Sequence, residues 1–319
     1  MAGAGASPMG YLRTFGPHAD PVTSLTWGLL TLSLAVVAIV AALVVVGVAV
    51  RRSRGGELPA VRPGAGGLGW IYVGLTLTGI ALVGSLVWTL EVLAAVNSPG
   101  SKPALTVQVT GHQWWWEVRY PGERPADAFT TANEIHIPVG RPVLVELRGA
   151  DVIHSFWIPT LAGKTDTIPG RVNLTWLQAD RAGVFRGQCT EYCGAQHAHM
   201  AAFVVADPPA AFETWRQRQL APASAPADAV ATDGAAVFQA HCSACHAVRG
   251  TLSDGVVGPD LTHVMSRQTL AAGALPNTGA GLAGWISDPQ ALKPGAKMPA
   301  TNLSGPELNA VVAYVETLK

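Results

Sequence analysis

Between Pro21 and Val50 the chain carries no charged residue, and a second uncharged run extends from Pro63 to Leu90. The apolar body of the first, Leu25–Val50, is 26 residues long. As a helix at about 1.5 Å per residue it spans ~39 Å, enough to cross a ~30 Å hydrocarbon core with some tilt. The second has its apolar body at Leu68–Trp88. A signal peptide has a shorter apolar stretch, and a basic segment before it with a small-residue cleavage site after it is not evident. The pattern predicts two transmembrane helices, over about residues 25–50 and 67–90. Composition agrees, since charged residues are only 13% of the chain, about half the share of a soluble domain. The 21 basic and 21 acidic residues cancel, which gives no reason to expect a nucleic-acid partner.

The short segment between the runs holds Arg51, Arg52, Arg54 and Arg62 against Glu57. The positive-inside bias puts it in the cytoplasm. Both termini, and everything from about Asn97 onward, are then expected outside. After Pro99 the pattern changes to short alternating runs: Leu105/Val107/Val109, Ile135/Ile137, Val143/Val145/Leu147, Val172/Leu174/Trp176 and Ala202–Val205. Period-two runs separated by Gly and Pro predict strands of a sandwich or barrel. This part carries 11 basic and 11 acidic residues between Lys102 and Leu220, so its charge is balanced as well. Phe212–Leu220 reads as a short helix. The Pro/Ala/Ser run beginning at Ala221 reads as a semi-extended linker. From Thr232 the spacing turns helical, and near the C-terminus Ser304 with Glu307 forms a capping box ahead of Leu308, Val311, Val312, Val315 and Leu318. The expected organisation is 1–97 for the N-terminal segment and two membrane helices, 98–220 for a β domain, 221–230 for a linker and 231–319 for a small all-α module.

All four cysteines lie from Cys189 onward, in two pairs. Cys189, Glu191, Cys193, His197 and Met200 fall within twelve residues, and His154 lies upstream. Thiolates, imidazoles and a thioether make the ligand set that suits copper in electron transfer. Two thiolates can bridge two copper ions, each ion also holding one histidine. A disulfide would leave His197, Met200 and Glu191 without a role, and zinc would use two Cys and two His but not the methionine. His199 stands two residues from His197 as an ambiguity.

The second pair sits in Cys242-Ser243-Ala244-Cys245-His246, the signal for covalent haem c attachment. Two thiols one helical turn apart can form thioethers to the haem vinyls, and the adjacent His faces the iron. Downstream, Lys297-Met298-Pro299 resembles the methionine loop of small c-type cytochromes, which makes Met298 the favoured sixth ligand, with Met265 and His263 as rivals. A Met/His pair raises the haem potential. Trp285 and Tyr314 are candidates to pack around the haem.

The stretch around Cys189–Met200 resembles the dinuclear copper A site of subunit II of haem–copper cytochrome c oxidases, and the likeness runs from the first membrane helix to about Asp207. The resemblance implies a cupredoxin-like β-sandwich or barrel after a two-helix hairpin. It implies Cys189 and Cys193 as bridging ligands and His154 and His197 as terminal ones. Met200 and the Glu191 carbonyl are then weak ligands, and the Glu191 side chain faces an interfacial magnesium shared with subunit I. In the family an aromatic near Trp114, Trp115 and Trp116 serves as the electron entry, and residues such as Lys164–Arg171 contact subunit I. Gly258-Pro259-Asp260-Leu261 resembles the cytochrome c segment whose proline carbonyl orients the proximal histidine.

The chain is thus expected to be subunit II of a respiratory cytochrome c oxidase with a C-terminally fused cytochrome c domain, in a bacterial inner membrane, with the redox domains on the periplasmic side. Electrons would pass from an external donor (cytochrome c or a respiratory complex) to haem c, to copper A, then to subunit I, which reduces oxygen and pumps protons. The linker would act as a tether, raising the effective concentration to about millimolar. Alternatives are the copper A subunit of another terminal reductase, such as a nitric-oxide reductase, and a non-enzymatic copper carrier. The copper ligands argue against a quinol oxidase subunit.

Overall fold

A computed structural model describes residues 9–53 and 68–319. Two long helices, α1 (Asp20–Ser53) and α2 (Leu68–Asn97), form one compact unit. At about 1.5 Å per residue either exceeds a ~30 Å hydrocarbon core. Most of their large apolar side chains stay exposed, although Val92 is buried, the arrangement of a helix that needs lipid rather than a protein core around it. The Trp88 ring lies where a side chain on Gly28 would be, so the glycine lets the two helices approach. Arg51 and Arg52 close α1. Arg54, Glu57 and Arg62 of the predicted cytoplasmic loop lie outside the described residues.

The second unit joins the segment before α1 to everything after α2. Phe15 pairs its backbone with Thr160 and Asp180, Arg181 lies over its ring at 3.7 Å, and His18 stacks on Trp176 at 4.4 Å. The start of α1 and the end of α2 therefore lead into the same body.

Ten strands build a two-layer sandwich. The first five are β1 (Leu105–His112), β2 (Trp115–Tyr120), β3 (Phe129–Ala132), β4 (Glu134–Pro138) and β5 (Val143–Gly149). Then come β6 (His154–Trp157), β7 (Thr165–Thr167), β8 (Asn173–Leu177), β9 (Gly183–Cys189) and β10 (Ala201–Asp207). One sheet has the order β3-β2-β1-β5-β8 and the other β4-β10-β9-β6-β7. The β1–β5 and β4–β10 pairs are parallel and the rest antiparallel. The alternation in the sequence lands as expected except at β8, where Leu174, and Val172 just before the strand, are exposed while Thr175, Trp176 and Leu177 are all buried. Val107, Val109, Val143, Val145 and Leu147 point inward from one sheet against Ile135, Ile137 and Val204 from the other. Helix α3 (Pro209–Leu220) follows, with Phe212 and Trp215 packed on the sandwich.

The C-terminal body is helical: α4 (Ala229–His241), α5 (Gly279–Ser287), α6 (Pro289–Leu292) and α7 (Gly305–Glu316). It also holds a two-stranded ladder, β11 (Thr269–Leu270) with β12 (Leu275–Pro276), which the helical spacing does not reveal. Ser304 and Glu307 form the expected capping box on α7. Helix α4 begins earlier than its apolar spacing suggests, because Asp228 caps it by accepting from the Ala231 amide. Residues 229–230, expected in the linker, are thus its first turn. The linker's start is also fastened. The Ala223 amide donates to Arg249 O, and the Arg249 guanidinium donates to Gln219 O and Leu220 O.

Helices α4 and α7 cross so closely that a Cβ on Gly234 would overlap the Ala310 carbonyl. Gly234→Val should destabilise this body by roughly 1–3 kcal/mol through overpacking, seen as a lower midpoint in thermal unfolding. Gly305→Ala, at the open first turn of α7, should leave the midpoint unchanged or slightly raised.

Candidate copper and haem centres

The end of β9 delivers Cys189, the following loop Cys193, a single 3-10 turn His197, and the entry to β10 Met200. β6 brings His154 from the neighbouring strand. The donors converge. Cys189 Sγ and Cys193 Sγ are 3.8 Å apart, beyond disulfide bonding distance. His154 Nδ1 lies 3.9 Å from Cys189 Sγ, and His197 Nδ1 3.5 Å from Cys193 Sγ. Met200 Sδ is 3.9 Å from Cys193 Sγ, and the Glu191 carbonyl 3.3 Å from Cys189 Sγ. Two facing thiols, each with its own imidazole, match the donor chemistry of a thiolate-bridged copper pair. His199 turns elsewhere: its Nδ1 faces Gln196 Oε1 at 2.7 Å.

The close contact between Cys189 Sγ and Cys193 Sγ, with His154 beside it, outweighs burial and lowers the Cys189 pKa. The same contact pushes the Cys193 thiol up. His154 is wholly buried, and its ring is fixed from behind, where Nε2 lies 2.9 Å from Asp151 Oδ1. Despite the penalty of burial, bonds from His154 and from the Gln113 and Val152 amides hold the Asp151 carboxyl at about 2. A Cβ on Gly111 would sit 2.8 Å from the His154 ring, so only glycine leaves room for it. Asp151, which orients the His154 ring, is not singled out by the sequence reading, although a carboxylate three residues before a candidate ligand histidine is a usable signal.

The three tryptophans separate. Trp114 sits at the tip of the β1–β2 hairpin, whereas Trp115 and Trp116 occupy β2 with side chains on opposite faces. Trp116 is fully buried, edge-on to Phe156 at 5.5 Å. As a surface electron entry it is therefore a correction: strand alternation points it into the core. Trp115 stacks on His112 at 4.4 Å. The Trp114 indole Nε1–H donates to the Cys193 carbonyl at 2.9 Å, and Gln113 Nε2 donates to the same oxygen at 2.7 Å.

Trp114 and Trp115 also line a largely apolar cavity in the helical body. Cys242, Cys245 and His246 open into it from the end of α4, and Met298 and Trp285 line it too. Its apolar walls include Phe238 and Ile286. Nδ1 of His246 lies 2.7 Å from the Pro259 carbonyl, which fixes the tautomer and leaves Nε2 for a metal. Burial lowers the pKa of the imidazole. A Cβ on Gly258 would strike the ring. Met298 is held by its loop, with Gln290 Nε2 donating to Met298 O and Ala296 O. Of the rivals, His263 has its ring nitrogens 2.6 Å from Lys319 O and 3.0 Å from Ala221 O, and Met265 packs against the core outside the cavity lining. Tyr314 is a core residue against Phe238. Arg267, which the sequence does not single out, lines the cavity with its Nε buried and unpartnered, while the same guanidinium donates to Asp260 O. A buried cationic donor without an acceptor fits a ligand bearing carboxylates. The cavity's apolar walls, paired thiols, oriented imidazole and thioether fit a covalent haem.

A family model for the periplasmic domain of cytochrome c oxidase subunit II matches residues 124–207, and one for cytochrome c matches residues 231–319. Cytochrome c oxidase subunit 2 of Alkalihalophilus pseudofirmus is 41% identical over 215 residues, covering 67% of this chain. The chain spans 61% of that relative's length. The same-named protein of Bacillus subtilis is 31% identical over 289 residues, 84% of this chain and 80% of that protein. The solved periplasmic domain of subunit II of cytochrome oxidase from Bradyrhizobium japonicum is 35% identical, with a TM-score of 0.35. It covers 37% of this chain and 95% of its own.

Asp151→Ala should free the His154 ring and lower copper affinity about 10- to 100-fold. Competition against a copper chelator measures this, and unchanged affinity would contradict the orienting role of Asp151.

Proposed function

The chain belongs to the cytochrome c oxidase subunit II family, and we propose that it is the electron-receiving subunit of a respiratory oxidase with its own fused electron carrier. Cys242 and Cys245 would hold haem c covalently, with His246 and Met298 as axial ligands and Arg267 facing the propionates. Cys189 and Cys193 would bridge two copper ions, with His154 and His197 as terminal ligands and Met200 and the Glu191 carbonyl as weak ones. Bound there, the haem and the copper pair supply one-electron redox chemistry.

The observation that carries this reading is the shared wall between the two sites. Trp114 lines the haem cavity and donates its indole N–H to the carbonyl of Cys193. One side chain thus touches both centres, which makes it the best placed of the three tryptophans to couple them. The polypeptide's own work is to hold ligands and exclude water. His246 and His154 are each fixed in one orientation, and the thiol pair is buried. Rigid, dry ligands reduce the rearrangement that accompanies each change of charge.

The partners in this reading are subunit I, which reduces oxygen and pumps protons, the other oxidase subunits and an external electron donor. Glu191 would contribute its side chain to an interfacial magnesium. The site is a bacterial inner membrane, with both redox bodies on the periplasmic side. The attachment of both hairpin ends to one body and the arginines closing α1 support that orientation.

Cys193→Ser should abolish the mixed-valence copper signal in EPR while haem c remains reducible by an external donor. Survival of the dinuclear signal would refute the bridging role. Met298→Leu should leave the haem covalently attached but lower its potential. Redox titration tests this, and an unchanged potential and spectrum would remove Met298 from the ligand set.

A further inference from the structure

Lys293 caps the C-terminal end of α6 in the helical body, yet it is only 3% exposed. Its ammonium reaches across to the sandwich and donates to Trp114 O at 2.7 Å and His199 O at 2.8 Å. The third donor bond goes to Ala271 O of its own body, at 2.9 Å. Three hydrogens meet three carbonyls, which is the full capacity of the group. We propose that Lys293 is a positioning residue that fixes the haem body in a single docked pose on the copper loop, so that the haem body does not search for that loop on its linker. This purpose rests on the electron-relay reading above, whereas the pose stands on the contacts alone.

The two carbonyls it grips on the sandwich are not arbitrary. Trp114 is the residue whose indole bonds Cys193 O, and His199 immediately precedes Met200. The lysine therefore holds the backbone at two points flanking the copper ligands. Undocked, the ammonium would be hydrated, so the net gain in affinity is modest. The gain in selectivity is larger. A slipped pose that keeps Lys293 covered but moves its acceptors leaves a buried ammonium unpaired, which is strongly disfavoured.

Neighbouring contacts have the same character. Gln196 Nε2 donates to Pro294 O at 2.9 Å, the Ala201 amide to Ala272 O at 3.0 Å, and the Gln268 amide to the buried Glu134 carboxylate. Ala271 and Ala272, which offer two of the accepting carbonyls, sit at φ 52° and 59°. Two successive alanines in the left-handed region are costly, and such backbone persists where surrounding contacts over-determine it. Here those contacts come from Lys293 and from the sandwich.

The test uses the full chain, haem-attached and copper-loaded, in detergent. In hydrogen–deuterium exchange the Ala201 and Gln268 amides, which bond across the interface, should be protected. Lys293→Met should speed their exchange about tenfold or more, the loss expected when charge-assisted bonds are removed. Amides within α4 and α7 should stay as protected as before. Lys293→Gln, which keeps two donors, should restore part of the protection. Unchanged interface exchange, or equal loosening of α7, would overturn the proposal, the latter by making Lys293 a support of its own body's fold. The second readout is the rate at which photoreduced haem c reduces the copper pair. The parent rate should be independent of added viscogen, and in Lys293→Met it should fall about tenfold or more and become viscosity-dependent. A viscosity-dependent parent would overturn the single docked pose even if no variant folds, and an unaltered rate in Lys293→Met would overturn the positioning role. Absence of any haem-to-copper transfer in the parent would refute the relay, while the exchange measurement would still decide the pose.

Discussion

The hydrogen bond from the Trp114 indole to the Cys193 carbonyl links a wall of the cavity in the helical body to the thiol-bearing loop of the sandwich, and the surrounding structure keeps it in place. Trp114 can reach Cys193 because it occupies a hairpin tip and not a strand, free of the alternation that turns Trp116 inward. The tip is held at Gln113, whose amide bonds Asp151 and whose side chain shares the Cys193 carbonyl. Asp151 in turn orients His154. A chain of bonds thus runs from the cavity wall through the Cys193 loop to the back of the His154 ring. Displacing any member moves the next, so the thiols, the imidazole and the indole are positioned as a set.

The candidate ligand sets are legible in the sequence because they are local. Five of the candidate copper donors lie within twelve residues and the expected haem attachment signal within five, so residue type and spacing carry most of the information. His154, 35 residues before Cys189, required the family resemblance. The sandwich was legible for a related reason: strands such as β1 and β5 bury every second side chain, and that period is written directly in Val107/Val109 and Val143/Val145. What could not be read is what depends on the two bodies meeting. Lys293 stands 179 residues from the carbonyl of Trp114 that it bonds, and in sequence it looks like any solvated lysine next to a proline. Arg267 is as inconspicuous, since its unpartnered Nε acquires meaning only once the cavity is seen. The linker was read from composition, which reports that Pro and Ala build no core. Composition carries no trace of Arg249 gripping the chain just before that linker.

These long-range contacts change the meaning of the fusion. A carrier that arrives by diffusion must leave after each electron, so its docking contacts have to be weak, exposed and quickly released, commonly guided by opposed charge. The interface seen here has a different composition. Among the described residues its one ion pair, Lys297 with Asp151 at 3.3 Å, lies at the rim. Its centre is a buried ammonium on backbone carbonyls, a buried carboxylate on a backbone amide, and alanines in a costly conformation. Groups of that kind give a slow-leaving, sharply selective contact, a poor choice for a shuttle and a good one for a domain that has no need to leave. The balanced charge of the sandwich segment agrees, since a permanently attached partner needs no long-range steering. The tether then serves mainly to guarantee that the right surface is always at hand, while the pose of the helical body on the sandwich is set by the buried contacts.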